Sequence, residues 1–229
     1  MSKKIFLLLT FVTLAVSSFA ETYLGAHYAT GISTIYFSPH KNESWRLAPY
    51  DAGLVYRYYD SIEFHKYFNI GLQVELNFAA RRYRFDDVMD RWVTGTDGSQ
   101  TLVSDTLSKK IHSQVIEIPV IMQWQFPVTQ HFSIYLNGLV YVAYYVKNKA
   151  FYKNTEWQDV TERFNYNNWN NFDFGIGGGL GVGYSVGALE IGVDARFVMG
   201  ISELYPQTID CYESLPQQIL LSFSVVKKF

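Results

Sequence analysis

Gly175, Gly177, Gly178, Gly179, Gly181 and Gly183 crowd one stretch, N-F-D-F-G-I-G-G-G-L-G-V-G-Y at 171–184. Such a run can cradle a phosphate if the backbone turns sharply and aims its N–H groups at the anion ahead of a helix. The offsets do not serve that chemistry. Counting from Gly175, Gly177 or Gly179, the sixth position is Leu180, Val182 or Tyr184, so no G-x-G-x-x-G frame closes, and no G-K-[ST] follows. Other reactive types are scattered. Asp86, Asp87 and Asp90 share one polar stretch. His112 and Ser113 are adjacent, which on a strand sends them to opposite faces and prevents a nucleophile–base pair. His27, His40, His65 and His131 show no ligand spacing, and Cys211, the single cysteine, has no partner for an internal disulfide. No catalytic, cofactor-binding or metal site is expected. The remaining candidates are the charges Glu75, Arg81, Glu117, Asp194 and Arg196, which alternate with bulky apolar residues.

The glycines fall into the same alternation. Gly175, Gly177, Gly179, Gly181 and Gly183 take the odd positions, while Phe172, Phe174, Ile176, Leu180, Val182 and Tyr184 take even ones. A period of two predicts a strand. Phe68 to Ala79 repeats the pattern, with Phe68, Ile70, Leu72, Val74, Leu76 and Phe78 on one face and Gln73, Glu75 and Asn77 on the other. Further strands are predicted at 116–124, 132–146, 189–200 and 218–229, and weaker ones at 23–33 and 52–59. The total is eight.

The links between them alternate in length. Short ones lie near 60–66, 127–131 and 185–187, and long polar ones near 34–49, 85–110, 147–170 and 202–216. Strands of about ten residues, an even strand number and alternating loop lengths are the plan of an antiparallel up-and-down transmembrane β-barrel. The predicted fold is all-β with eight strands, ten being the alternative. Both ends of the domain then share the short-turn, periplasmic side. Residues 1–20 carry Lys3 and Lys4, an apolar run from Ile5 to Val16 and small Ser18 and Ala20, which predicts a secretory signal peptide ahead of a barrel domain at 21–229. The expected location is the bacterial outer membrane. A formal net charge of -2 provides no basic surface for nucleic acid.

Alternation does not by itself say which face meets lipid. The apolar face is uniformly bulky, whereas the other mixes glycine with Tyr, Arg and Glu, a set that can interdigitate in the narrow interior of an eight-stranded barrel. The polar set is therefore assigned to the lumen: Glu75, Arg81, Glu117, Asp194 and Arg196 as a structural ion-pair network, with Gln73, Asn77, Gln123, Glu190 and Tyr141 beside them. Gly175, Gly177, Gly179, Gly181 and Gly183 leave room for it. Tyr58, Tyr59, Tyr67, Phe68, Trp124, Phe126, Phe132, Tyr184 and Phe229 are expected to form an aromatic girdle at the short-turn interface.

I-E-I-P-V-I-M at 116–122, F-G-I-G-G-G-L-G at 174–181, L-E-I-G-V-D-A-R-F at 189–197 and the terminal F-S-V-V-K-K-F resemble the small bacterial outer-membrane barrels grouped as PorT-like. The resemblance implies fold and location. Its name-giving branch is associated with secretion of cargo proteins across the outer membrane, so secretion components are implied as partners. A terminal aromatic such as Phe229 is similar to the signal read by barrel-assembly machinery, a further implied partner. Outer-membrane lipid is the expected surroundings. The loop aromatics Trp45, Trp92, Trp157, Trp169, Tyr152, Tyr166, Tyr205 and Tyr212 offer a surface for a glycan or protein. Three functions follow as expectations: a non-enzymatic barrel with a plugged lumen and outward loops, a secretion accessory, and a barrel enzyme acting on lipid or peptide.

Overall fold

The computed structural model describes residues 20–38, 44–60, 68–94, 96, 98–153, 159–160, 170–204 and 213–229. The signal-peptide expectation, apart from Ala20, falls outside them, as do Tyr67, Trp157, Trp169, Tyr166, Tyr205 and Tyr212. Strands follow in the order β1 (Ala20–Ser38), β2 (Arg46–Asp60), β3 (Asn69–Thr94), β4 (Gln100–Pro127), β5 (Phe132–Lys153), β6 (Asp159–Val160), β7 (Phe172–Val186), β8 (Leu189–Gly200) and β9 (Glu213–Lys228). The sheet runs β4-β3-β2-β1-β9-β8-β7-β5, and the β4–β5 pairing closes it. Every pairing in the ring is antiparallel. The two-residue β6 pairs only with the tip of β5, at Tyr152 and Lys153, and stays outside the ring. The barrel therefore has eight strands rather than ten.

Within the ring, closure removes the free sheet edges, which backbone groups require in a medium without water. The apolar face points outward: Leu54, Leu76, Ile118, Leu136, Leu180, Ile191, Leu221 and Phe223 are exposed on the barrel wall. On β4 the outward apolar run extends from Ile116 to Phe126. At about 3.4 Å per residue and a tilt near 40°, that run rises roughly 26 Å, matching the ~25 Å apolar band of a membrane barrel. Aromatic pairs mark both borders of the band: Phe68 with Phe126 (ring centroids 5.9 Å apart) at the short-turn end, and Tyr144 with Phe172 (5.0 Å) and Tyr50 with Phe78 (6.0 Å) at the other.

Strands extend into all four of the predicted long links, and two departures from the sequence reading matter most. The segment 85–110 is not simply a loop, because β3 and β4 stay paired as far as Thr94↔Gln100 in one long hairpin. Beyond the membrane neither face must be apolar, so the alternation disappears while the ladder persists. Tyr59, assigned to the girdle, is instead buried inside the barrel, where its ring covers the space a side chain at Gly71 would need. The register pairs these two residues directly. An aromatic over a cross-strand glycine fills the gap that the missing side chain leaves.

Candidate functional site

The interior is built from the inward positions of all eight strands. Among the described residues it holds ten acidic and basic groups beside one another: His27, Asp51, Arg57, Glu75, Arg81, Glu117, Asp173, Glu190, Asp194 and Arg196, all at most 8% exposed. Near the short-turn end, the Arg57 guanidinium on β2 donates to Glu190 on β8, and its Nε donates to the Gln73 side-chain oxygen at 2.7 Å. The Gln73 amide in turn donates to Glu75 at 2.5 Å. At mid-barrel, Arg196 on β8 makes a two-pronged contact with Glu75 on β3, both bonds 2.9 Å, and also pairs with Asp194. His27 on β1 sits 3.6 Å from Glu75 and 3.7 Å from Asp51, with its Nε2 2.6 Å from the Asn77 oxygen. Toward the long-loop end, Arg81 on β3 joins Glu117 on β4 and donates to Asp173 on β7 at 2.9 Å and to the Tyr145 hydroxyl at 3.0 Å. Tyr141 and Ser202 each donate to Asp173 at 2.7 Å.

Going round the ring either way, three strands separate β3 from β8. The Glu75–Arg196 pair therefore reaches across the full width of the barrel. Arg57–Glu190 and Arg81–Asp173 each skip two intervening strands. Planar guanidinium is suited to such bridges because its fork engages two carboxylate oxygens at once. Arg57 also lies over the Tyr135 ring (5.6 Å) and Arg81 over the Tyr141 ring (5.3 Å), which gives the cations partners above their planes.

Glu75, Arg81, Glu117, Asp194 and Arg196 are thus all inside, and the structure divides them between two clusters: Arg81–Glu117 in one, and Glu75–Asp194–Arg196 in the other. Sequence reasoning missed Arg57, Asp173, Asp51 and His27. Asp173 shared the odd parity of the glycines that follow it, which was the available signal. His27 and Asp51 also share the inward odd parity of their strands, His27 with Ala29 and Asp51 with Val55, Arg57 and Tyr59.

The five odd-numbered glycines lie beneath this network. A methyl group at Gly175 would stand 2.1 Å from the Tyr141 ring, at Gly179 2.4 Å from the Ala195 carbonyl oxygen, and at Gly183 2.1 Å from the Tyr135 hydroxyl. At Gly177 it would meet the Phe197 carbonyl oxygen at 2.5 Å, and at Gly181 the Asp194 side chain at 2.6 Å. Large side chains of β5 and β8 occupy the volume that β7 vacates.

The interior also contains apolar matter that the charge-based reading left out. Ile35, Tyr83, Ile111, Val115, Val198 and Leu204 pack into one cluster at the long-loop end, with Ile121 and Leu139 below. Leu204 is fixed there by a backbone bond from its N–H to the Ser214 carbonyl at 3.1 Å. His112 is exposed while Ser113 is buried, so the two stand on opposite sides of β4. Phe229, at the other end, is exposed beside the wall, with the Lys227 ammonium 5.4 Å from its ring centroid.

A closed antiparallel ring with an apolar exterior, bordering aromatics and a charged interior defines a transmembrane β-barrel. The chain belongs to the outer membrane protein beta-barrel domain family, whose model matches residues 18–205. No curated protein matches the chain. Among solved structures it is similar to Ail, the attachment invasion locus protein of Yersinia pestis, at 13% identity over 92% of this chain and 99% of that one, with a TM-score of 0.42. It is also similar to Neisserial surface protein A (12% identity, 91% and 97% covered, TM-score 0.43). A major outer membrane protein from Thermus thermophilus aligns at 10% identity, 91% and 99% covered, with a TM-score of 0.49.

Proposed function

We propose that this chain is a non-enzymatic integral protein of the bacterial outer membrane whose lumen is sealed and whose long-loop end is the part that meets partners. The observation that carries the reading is the Glu75–Arg196 bridge between opposite walls, with the Arg57–Glu190 and Arg81–Asp173 bridges below and above it. A path for ions through the centre would have to displace buried charge pairs at three heights, and the apolar cluster around Leu204 adds a fourth obstruction. Removing one member of a buried pair is strongly unfavourable, so the network favours a closed lumen over a gate. The same commitment argues against a catalytic role for five of the six interior carboxylates among the described residues: Glu75, Glu117, Asp173, Glu190 and Asp194 are each held by a guanidinium, which leaves none of the five as a free general base.

Export through an N-terminal signal peptide, reading of Phe229 by assembly machinery, and kinship with the PorT-like branch belong to the same proposal. So does an extracellular placement of the long β3–β4 hairpin, which follows from short turns lying on the periplasmic side of such barrels. The test is electrical. Purified protein refolded into planar bilayers is expected to show no stable open conductance, and a steady large-conductance pore would refute the sealed lumen.

A further inference from the structure

We infer that the outer surface of β3, β4 and β5, just past the apolar band at the long-loop end, is a binding site for phosphate-bearing lipid headgroups. Beyond Ile116 the outward face of these three strands changes from apolar to cationic within four residues. The register sets Arg82 opposite His112 and His112 opposite Lys149, so three basic side chains form one row across neighbouring strands. On one side of that row Gln114 pairs with Lys147, and on the other Arg84 pairs with Lys110. Lys110, His112, Lys147 and Lys149 are exposed, and Arg82 and Arg84 partly so.

Arg84 and Lys110, directly opposite one another, are a like-charge pair of the kind that disfavours a sheet. Burial of the ring, and then the neighbouring Arg82, Lys110 and Lys149, hold the pKa of His112 below the usual value of 6.5. Leu47, Phe172 and Ile201, exposed elsewhere on the barrel wall toward the long-loop end, are apolar. The cations are gathered on one arc of a chain whose formal net charge is -2.

Height selects the ligand. His112 is four residues beyond Ile116 on β4, roughly 13 Å along the strand and roughly 10 Å along the membrane normal at a tilt near 40°. That is the level of headgroups, outside the hydrocarbon but within the polar layer. A ligand seated there would rest its acyl chains on Phe78, Ile116 and Val142 and present its phosphates to the guanidinium and ammonium groups above. A soluble anion would use only the second half of this surface, so the continuity with the apolar wall points to a lipid. The inference requires that the chain span a membrane and does not depend on whether its lumen is sealed.

The experiment is a titration of the folded protein, in non-ionic micelles, with diphosphoryl lipid A, with its dephosphorylated form and with sodium phosphate, followed by microscale thermophoresis. The diphosphoryl lipid should bind most tightly, and 0.5 M KCl should weaken that binding at least roughly tenfold through screening. Arg82→Gln/Lys110→Gln/Lys149→Gln should likewise weaken it by roughly tenfold or more, given the attraction of each basic side chain to an anionic surface. Lys227→Gln/Lys228→Gln, at the opposite rim, should leave it within about twofold, because those charges lie beyond a Debye length from the site. Heat-modifiable migration on gels reports whether each variant is folded, and the salt arm needs no variant. Equal binding of the phosphorylated and dephosphorylated lipids, salt-insensitive binding, or a triple variant that binds like the parent would overturn the inference. Competition by sodium phosphate at lipid-like concentrations would replace it with a free-anion site.

Discussion

The inner and outer walls of β7 are made by the same residues in alternation, yet they follow different rules. On the inside Gly175, Gly179 and Gly183 face the Tyr141 ring, the Ala195 carbonyl and the Tyr135 hydroxyl, where even one added carbon meets its neighbour closer than 3 Å. On the outside Phe174, Ile176, Leu180 and Val182 project away from the barrel and touch no opposing protein layer. The interior is therefore a jigsaw in which identity matters, and the exterior a surface in which apolar bulk suffices. Interior packing at crystal-like density tolerates little volume change, whereas lipid chains rearrange around whatever shape they meet.

Gly179→Leu should break this comparison most severely. The Cβ alone would lie 2.4 Å from the Ala195 carbonyl oxygen, a backbone atom that cannot rotate away, and the rest of the leucine would enter space held by Arg196. Overpacking of a tight core commonly costs about 1–3 kcal/mol, and the added displacement of a charge network should push this variant past that range. The expected result is loss of the heat-modifiable folded band.

Arg196→Ala comes next. It removes the cation shared by Glu75 and Asp194 and leaves both carboxylates buried. Stripping one partner from a buried pair costs about 3–5 kcal/mol, so urea unfolding in lipid vesicles should shift to markedly lower concentration. The more informative measurement is the second variant. Glu75→Gln added to Arg196→Ala should recover part of the loss, because it removes a charge that has lost its partner, whereas Glu75→Gln alone should be harmful. Additive effects of the two substitutions would mean that the pair is not coupled, and the proposal of a sealed lumen would lose its central support.

The outer wall was far more legible in the sequence than the inner one. Period-two alternation placed β3, β5, β7 and β8 and their lipid-facing sides, because a bilayer demands the same thing of every outward position. Arg196, Glu75 and Glu117 were recognisable as interior by parity, but their partners were not, since Glu75 and Arg196 are 121 residues apart and meet only after the ring closes. His27 and Asp51 shared the inward parity of Ala29 and of Val55 and Arg57, but β2 carries tyrosine on both faces, Tyr56 outward and Tyr59 inward, which blurred the alternation there. Tyr59 was misplaced for a related reason: composition marked it as interfacial, while its cross-strand partner Gly71 determined where the ring fits. The β3–β4 extension lost its apolar period outside the membrane, but the Asp97–Gly98 dipeptide at its tip was a usable turn signal, and Gly98 indeed takes a positive φ of 79°.

Leu180→Ile is the smallest expected change and the one that sharpens the comparison. Leu180 is 63% exposed on the wall, between Gly179 and Gly181, and its inward neighbours are unaffected by the shape of its side chain. The substitution conserves volume and apolar area, so its cost should stay below about 1 kcal/mol, with β-branching slightly favourable on a strand. Unfolding midpoints in vesicles should overlay those of the parent within error. If instead Leu180→Ile were as damaging as Gly179→Leu, the packed side of β7 would be the leucine side. The walls would then be reversed, and the charge network would have to face outward, where no lipid could accommodate it.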